Sequence, residues 1–198
     1  MVRLLIFDIG GVIIDYDEAY YIRYMSKKLH LDRHKFSKVM NPLIERMELG
    51  KLSARDAELV MSKAFHVPEL DLVWASAYKK LARLNVHVAK LVSGLSKRYR
   101  LVLLSNTSAS RYVESKRLFL DKVWHGRTFS SCYLHMRKPE RKIYLHVLRA
   151  MNVRPKEALF IDNMQENVAG ARRAGIKAIR FISCSQIEKA LRGYGIKP

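Results

Sequence analysis

Four short apolar runs, three of them stopping against a chemically useful side chain, constrain this chain more than any other feature. Leu4–Phe7 leads into Asp8, residues 101–104 into Ser105 and Asn106, and residues 158–161 into Asp162 and Asn163; residues 178–182 make the fourth run. Unbroken apolar stretches of this length suit strands buried on both faces, the condition of a parallel sheet. Segments of helical period separate the last three. Val88, Leu91, Val92 and Leu95 recur at helical intervals, as do Ile143, Val147 and Met151, and a stretch through Val168 and Ala171 stops at Gly175, a residue suited to end a helix. Pro155 suits the first turn of a short helix. Strand alternating with helix predicts a doubly wound α/β sheet, with a fifth strand around residues 130–134.

Residues 16–85 have a different texture. They hold no strand-like run and read as helices broken near Leu31-Asp32, Gly50-Lys51 and Val67-Pro68, with Ser53 and Asp56 spaced like a helix start. The expectation is an α/β core built from residues 1–15 and 86–198, carrying an inserted all-helical cap over residues 16–85. The apolar run over residues 4–14 is interrupted by Asp8 and Gly10-Gly11 and is too short to span a bilayer. No small-residue cleavage pattern follows Arg3, so no membrane association is expected. The two cysteines, Cys132 and Cys184, lack CxxC spacing, which points to buried thiols in the reducing cytoplasm.

Charge is unevenly spread. The chain has 37 Lys and Arg against 18 Asp and Glu, a net +19, and residues 86–198 alone carry an excess of 16. Such an excess favours anionic partners, whether phosphorylated metabolites, nucleic acid or acidic surfaces, or else forms a solvated basic face. No aromatic-rich basic platform accompanies it, so only weak, non-specific and salt-sensitive nucleic-acid binding is expected.

In an open parallel sheet, ligands bind beyond the carboxyl ends of the strands. Those ends supply Asp8, then Ser105-Asn106-Thr107, then Asp162-Asn163, with Lys138 just past the fifth run in Met136-Arg137-Lys138-Pro139-Glu140. A carboxylate nucleophile, a hydroxyl and an amide, an ammonium and a second carboxylate suit phosphoryl transfer. In order, FDIGGV, LLSNTS, MRKPE and FIDNMQENVAGARRAG resemble the four motifs of the haloacid dehalogenase-like superfamily. The cap position and ELGKLS resemble its branch with a helical cap, closest to small phosphatases of glucose 1-phosphate and similar sugar phosphates.

That resemblance implies a Rossmann-like core and a Mg²⁺-dependent phosphatase acting on a small phosphorylated metabolite, a sugar phosphate or acyl phosphate. Asp8 would become an aspartyl-phosphate and Lys138 would orient it and neutralise phosphate charge. Ser105 and Asn106 would bind phosphate and substrate. Mg²⁺ would be held by Asp8, the Gly10 carbonyl, Asp162 and Asn163, while Glu48, Gly50 and Lys51 match a cap loop that reaches the substrate. Two positions depart from the pattern. Gly10 stands where many members carry an acid–base aspartate, which favours anomeric or acyl phosphates over alkyl phosphates. Asn163 stands where an aspartate is usual, which lowers metal affinity. Alternative readings are a weakened member that only binds phosphorylated ligands or nucleic acid, a 2-haloacid dehalogenase, and a polynucleotide-end phosphatase that uses the basic segment. Tyr16, Tyr20 and Tyr24 are expected to pack inside the cap. The Leu31-Asp32 break separates His30 from His34, and His135 lies near Lys138.

Overall fold

A computed structural model describes residues 1–67 and 77–198. The main strands are Leu4–Phe7 (β1), Arg100–Ser105 (β4), Thr128–Ser130 (β5), Ala158–Asp162 (β6) and Lys177–Arg180 (β7), with Ile14–Asp15 (β2) and Arg83–Leu84 (β3) between the first two. The five main strands run parallel in the order β5-β4-β1-β6-β7. β1 is central and all four of its side chains are completely buried, which is why its sequence is uniformly apolar. Alternate residues face opposite layers. Leu5 and Phe7 pack with Val88, Leu91, Val92 and Leu95, whereas Leu4 and Ile6 pack with Ile143, Val147 and Val168. Phe7 pairs with Leu103 and Ile161, so Asp8, Ser105 and Asp162 reach one edge of the sheet together. The Asp8 amide extends the ladder by donating to the Ile161 carbonyl at 2.9 Å.

The fifth strand lies earlier than expected. β5 covers only Thr128–Ser130, and the chain then turns into the helix Ser131–Leu134. The cause is local: the Ser131 hydroxyl accepts from the Thr107 amide at 3.0 Å and donates to the Thr107 carbonyl at 3.3 Å. That pair ties the chain to the end of β4 in place of further ladder bonds. β7 likewise stops at Arg180, and Ile182, read as part of the strand, is largely exposed.

In the segment expected to be wholly helical, β3 pairs antiparallel with β2, Ile14 opposite Leu84 and Asp15 opposite Arg83. This short ribbon brings the two connections of the helical insert side by side. Helices Glu18–Lys28, Arg33–Glu48 and Ala54–Phe65 are capped by Asp17, Asp32 and Ser53 and pack around Tyr21, Met25, Phe36, Met40 and Met47. Residues 77–81 are also helical. His30, at φ 54, falls in the break between the first two helices, and His66, at φ 53, ends the third. The break expected at Val67-Pro68 reaches outside the described residues. Tyr16, which precedes the cap residue Asp17, and Tyr24 pack against the cluster of the helical insert as expected, but Tyr20 is about half exposed and the fully buried ring is Tyr21. Among the described residues, no helix is long and apolar enough to cross a membrane. Both cysteines are free thiols.

Candidate active site

Asp8, Lys138 and Asp162 form a buried chain of charge at the carboxyl edge of the sheet. Lys138 Nζ donates to Asp8 Oδ1 at 2.6 Å, to Asp162 Oδ2 at 2.7 Å and to the Leu104 carbonyl at 3.1 Å. The lysine is only 1% exposed; burial disfavours its charge, but Asp162 and Asp8 outweigh that and raise its pKa. It stays an ammonium. Burial raises the Asp8 carboxyl to about 7, with Lys138 opposing the rise and Asp162 adding to it. Asp8 opens onto a cavity of about 980 Å³ between sheet and cap, and Ser105, Asn106, Gly10 and Asn163 line the same space.

The backbone after Asp8 turns at once, the amides of Ile13 and Ile14 both donating to the Ile9 carbonyl at 2.9 Å. Gly11 sits at φ +76, and a Cβ there would lie 2.2 Å from Asn163 Nδ2. Glycine is therefore required on two counts, handedness and space. Asn163 packs against it with Oδ1 buried and accepting no hydrogen bond among the described residues. A buried amide oxygen without a donor fits a cation ligand. No group of three His, Cys, Asp or Glu among the described residues is arranged to hold a metal. A metal here would rest on the Asp8 carboxylate, the Asn163 amide and backbone oxygen such as that of Gly10. Asp162, expected at the metal directly or through water, already has both oxygens engaged: Oδ1 accepts from the Met164 amide and Asn167, Oδ2 from Lys138 and Asn167. Its contact with a metal would run through water.

The family is decided by one match: residues 2–175 fit the haloacid dehalogenase-like hydrolases. The chain belongs to that family. Among relatives of this hydrolase is a D-ribitol-5-phosphate phosphatase of Bacteroides thetaiotaomicron, 24% identical over 91% of this chain and 92% of the relative. A HAD family enzyme from Bacteroides thetaiotaomicron, crystallised with magnesium and inorganic phosphate, has a TM-score of 0.79 at 22% identity, covering 91% of this chain and 94% of its own. A predicted HAD-like family hydrolase from Porphyromonas gingivalis also reaches 0.79, at 25% identity, covering 97% and 98%.

Not every expected residue of this hydrolase faces the cavity. The Asn106 amide is spent on the backbone of Lys138, donating to its carbonyl and accepting from its amide, both at 2.9 Å. Those two bonds hold the Lys138 backbone in place, while Asn106 still lines the cavity. Glu48 does line the cavity and takes two bonds from Arg137, the shorter at 2.9 Å. Burial raises its pKa, and Arg137 pulls the other way. Gly50 and Lys51 do not line the cavity. Gly50, at φ +67, lies so close to the core that a Cβ would come within 2.2 Å of the Cys132 carbonyl, and Lys51 is exposed beside it. His135, at φ 53, donates from Nδ1 to the Leu49 carbonyl, 3.0 Å away, a cap-to-core contact.

Sequence reading missed Arg111. Its guanidinium grips Glu18 at 2.9 and 3.3 Å and lies over the rings of Tyr16 and Tyr78. It joins the core helix Ala109–Leu118 to the first turn of the cap.

Proposed function

We propose that the chain is a Mg²⁺-dependent phosphatase of a small phosphorylated sugar or polyol, working through an aspartyl-phosphate on Asp8. The observation that carries this reading is the buried Asp8–Lys138–Asp162 chain opening onto the cavity. An Asp8 oxygen attacks phosphorus, the bond to the leaving oxygen breaks, and that oxygen takes a proton; water then attacks phosphorus, freeing phosphate and restoring the carboxylate. Lys138 holds the attacking carboxylate in line. The relatives named above support both the reaction and the ion. Free thiols at Cys132 and Cys184 fit a reducing compartment, so we assign the enzyme to the cytoplasm.

Charge balance argues for the metal. One ammonium is shared by two carboxylates, so a phosphate dianion approaching Asp8 meets a negative cluster. Mg²⁺, held by Asp8, the Gly10 carbonyl and Asn163, would reverse that sign and offset charge on the transferring phosphoryl group. Phosphate release from a panel of esters, with Mg²⁺ and with chelator, tests the proposal. Turnover is expected only with the metal. Turnover that persists in chelator removes Mg²⁺ from the reading, and no turnover on any ester removes the phosphatase reading itself.

Leaving-group preference follows from Gly10. A Cβ there would meet no heavy atom within 4 Å, so space does not require glycine, and glycine supplies no acid–base group at that position. Acyl phosphates and sugar 1-phosphates, whose leaving groups need less protonation, are expected to react faster than ribitol 5-phosphate or sugar 6-phosphates. Equal kcat/KM across the two classes would show that another residue supplies the proton.

Asn163 offers a separate check. Asn163→Asp adds a full charge where the amide oxygen is unpartnered, so the Mg²⁺ concentration for half-maximal rate should fall on the order of tenfold. Without metal, the third carboxylate beside Asp8 and Asp162 should lower the thermal midpoint. An unchanged Mg²⁺ titration would remove Asn163 from the metal.

A further inference from the structure

We infer that the cleft at the amino ends of β4 and β5, opposite the sheet edge that carries Asp8, is a binding site for a ligand bearing two or more phosphate groups. The phosphatase reading leaves the basic surplus of the chain without a role. The catalytic cavity is lined by seven Asp and Glu side chains, Asp8 and Glu48 among them, against four cations, and three of those, Arg111, Arg137 and Lys138, are paired with carboxylates. The surplus lies elsewhere.

Lys97, Arg98 and Arg100 lead into β4, and His125 and Arg127 lead into β5. Leu103 pairs with Thr128, and the Leu103 amide donates to the Arg127 carbonyl at 3.1 Å, so the two basic approaches lie side by side. Together they line a cleft of about 750 Å³ with no Asp or Glu in its wall. That volume lies in the range of small-molecule sites, about 300–1,000 Å³. Among the described residues, none of the four Lys and Arg side chains pairs with a carboxylate.

A structural role accounts for part of this charge. Arg100 donates to the Met151 carbonyl at 2.6 Å and Arg127 to the Ala150 carbonyl at 3.4 Å, closing the end of helix Arg141–Ala150. Helix Val86–Ser96 ends at the same cleft. Each helix end carries roughly half a negative charge, so two ends offset about one of the four cations. An excess of about three positive charges faces solvent in a concave wall. The Arg98 guanidinium rests over the Tyr99 ring and that of Arg127 over Phe129, at 6.0 and 5.8 Å, which limits the freedom these donors would lose on gripping phosphate. A single phosphate would leave much of the excess unmatched; closely spaced phosphates, in a free polyphosphate or a nucleic-acid strand, would meet it.

The test is equilibrium binding of inorganic tripolyphosphate, of a short single-stranded oligonucleotide and of orthophosphate to the metal-free full chain at low salt. Lys97→Glu/Arg98→Glu is the site variant, and Lys35→Glu/Lys38→Glu, an equal charge change on the cap, is the control. The site variant is expected to lose roughly tenfold or more in affinity for tripolyphosphate or strand, and the control to stay within about twofold. Thermal midpoint and turnover should be unchanged in both. If the glutamates lower the midpoint, Lys97→Gln/Arg98→Gln carries the same comparison. Tighter binding of tripolyphosphate assigns the site to a free polyphosphate, tighter binding of the strand to a nucleic-acid backbone, and either supports the inference. No binding, or equal losses in site variant and control, overturns it and leaves only bulk charge.

Discussion

Asp8→Asn is expected to remove phosphate release, lowering kcat by on the order of 10⁴-fold or more while leaving the protein folded. The amide keeps the shape of the carboxylate and can still accept from Lys138, which now donates to Asp8 Oδ1 at 2.6 Å. It cannot serve as the attacking oxygen. Stability supplies a second readout of opposite sign. Burial raises the Asp8 carboxyl from 3.8 to about 7, so the folded state holds this proton more tightly than the unfolded chain. This group therefore stabilises most below about pH 4, and its contribution falls as pH rises towards 7. In metal-free protein, Asp8→Asn should flatten that part of the stability profile and leave the thermal midpoint at pH 8 equal to or above the parent's. Turnover within severalfold of the parent would take the nucleophile role from Asp8. A large drop in midpoint would mean that the carboxylate is needed for folding, and the activity loss would lose its meaning.

The parts of the site that could be read from sequence share one physical cause. Asp8 and Asp162 interrupt or end runs that are otherwise buried on both faces, and an ionisable group in such a place is costly unless it has a partner or a task. Lys138 could be chosen from 37 basic residues only because it stands in an ordered set of motifs. No such signal marks Arg111, and Arg137, though it stands beside Lys138 in MRKPE, carries no sign of its ion pair. Their partners Glu18 and Glu48 lie 93 and 89 residues away, and nothing local separates them from solvated arginines. The ribbon of β2 and β3 was invisible for another reason. Two residues on each strand are too few to show alternation. The misplaced end of β5 turned on the Ser131 hydroxyl, a side-chain bond that competes with the ladder. Asn106 shows the same limit in the site itself. Its position at a strand end marked it for the cavity, but only the two bonds to the Lys138 backbone show which way its amide is used.

Lys138→Met is expected to be the most destabilising single change in the site. Methionine fills a similar volume, so packing is largely kept and the effect isolates the charge. What remains is a pair of buried carboxylates, Asp8 and Asp162, that the ammonium had bridged at 2.6 and 2.7 Å. Breaking a buried ion pair from one side costs about 3–5 kcal/mol, or roughly 6–20 °C of thermal midpoint for a chain of this size. The cost should depend on pH. With the cation gone, the pair can lower its repulsion by holding a proton, which raises the folded pKa of Asp8 above its already elevated value. Stability is then lost as pH rises through that pKa, so the gap between variant and parent should be narrower at pH 5 than at pH 8. Phosphatase activity should vanish with it, since a protonated Asp8 cannot attack. Removing the second carboxylate as well separates charge from packing: Lys138→Met/Asp162→Asn should recover part of the midpoint at pH 8 without recovering turnover. A midpoint loss that is the same at both pH values, and that Asp162→Asn does not relieve, would show that Lys138 supports the fold through its packing and its bond to the Leu104 carbonyl, and not as the counter-charge of the two aspartates.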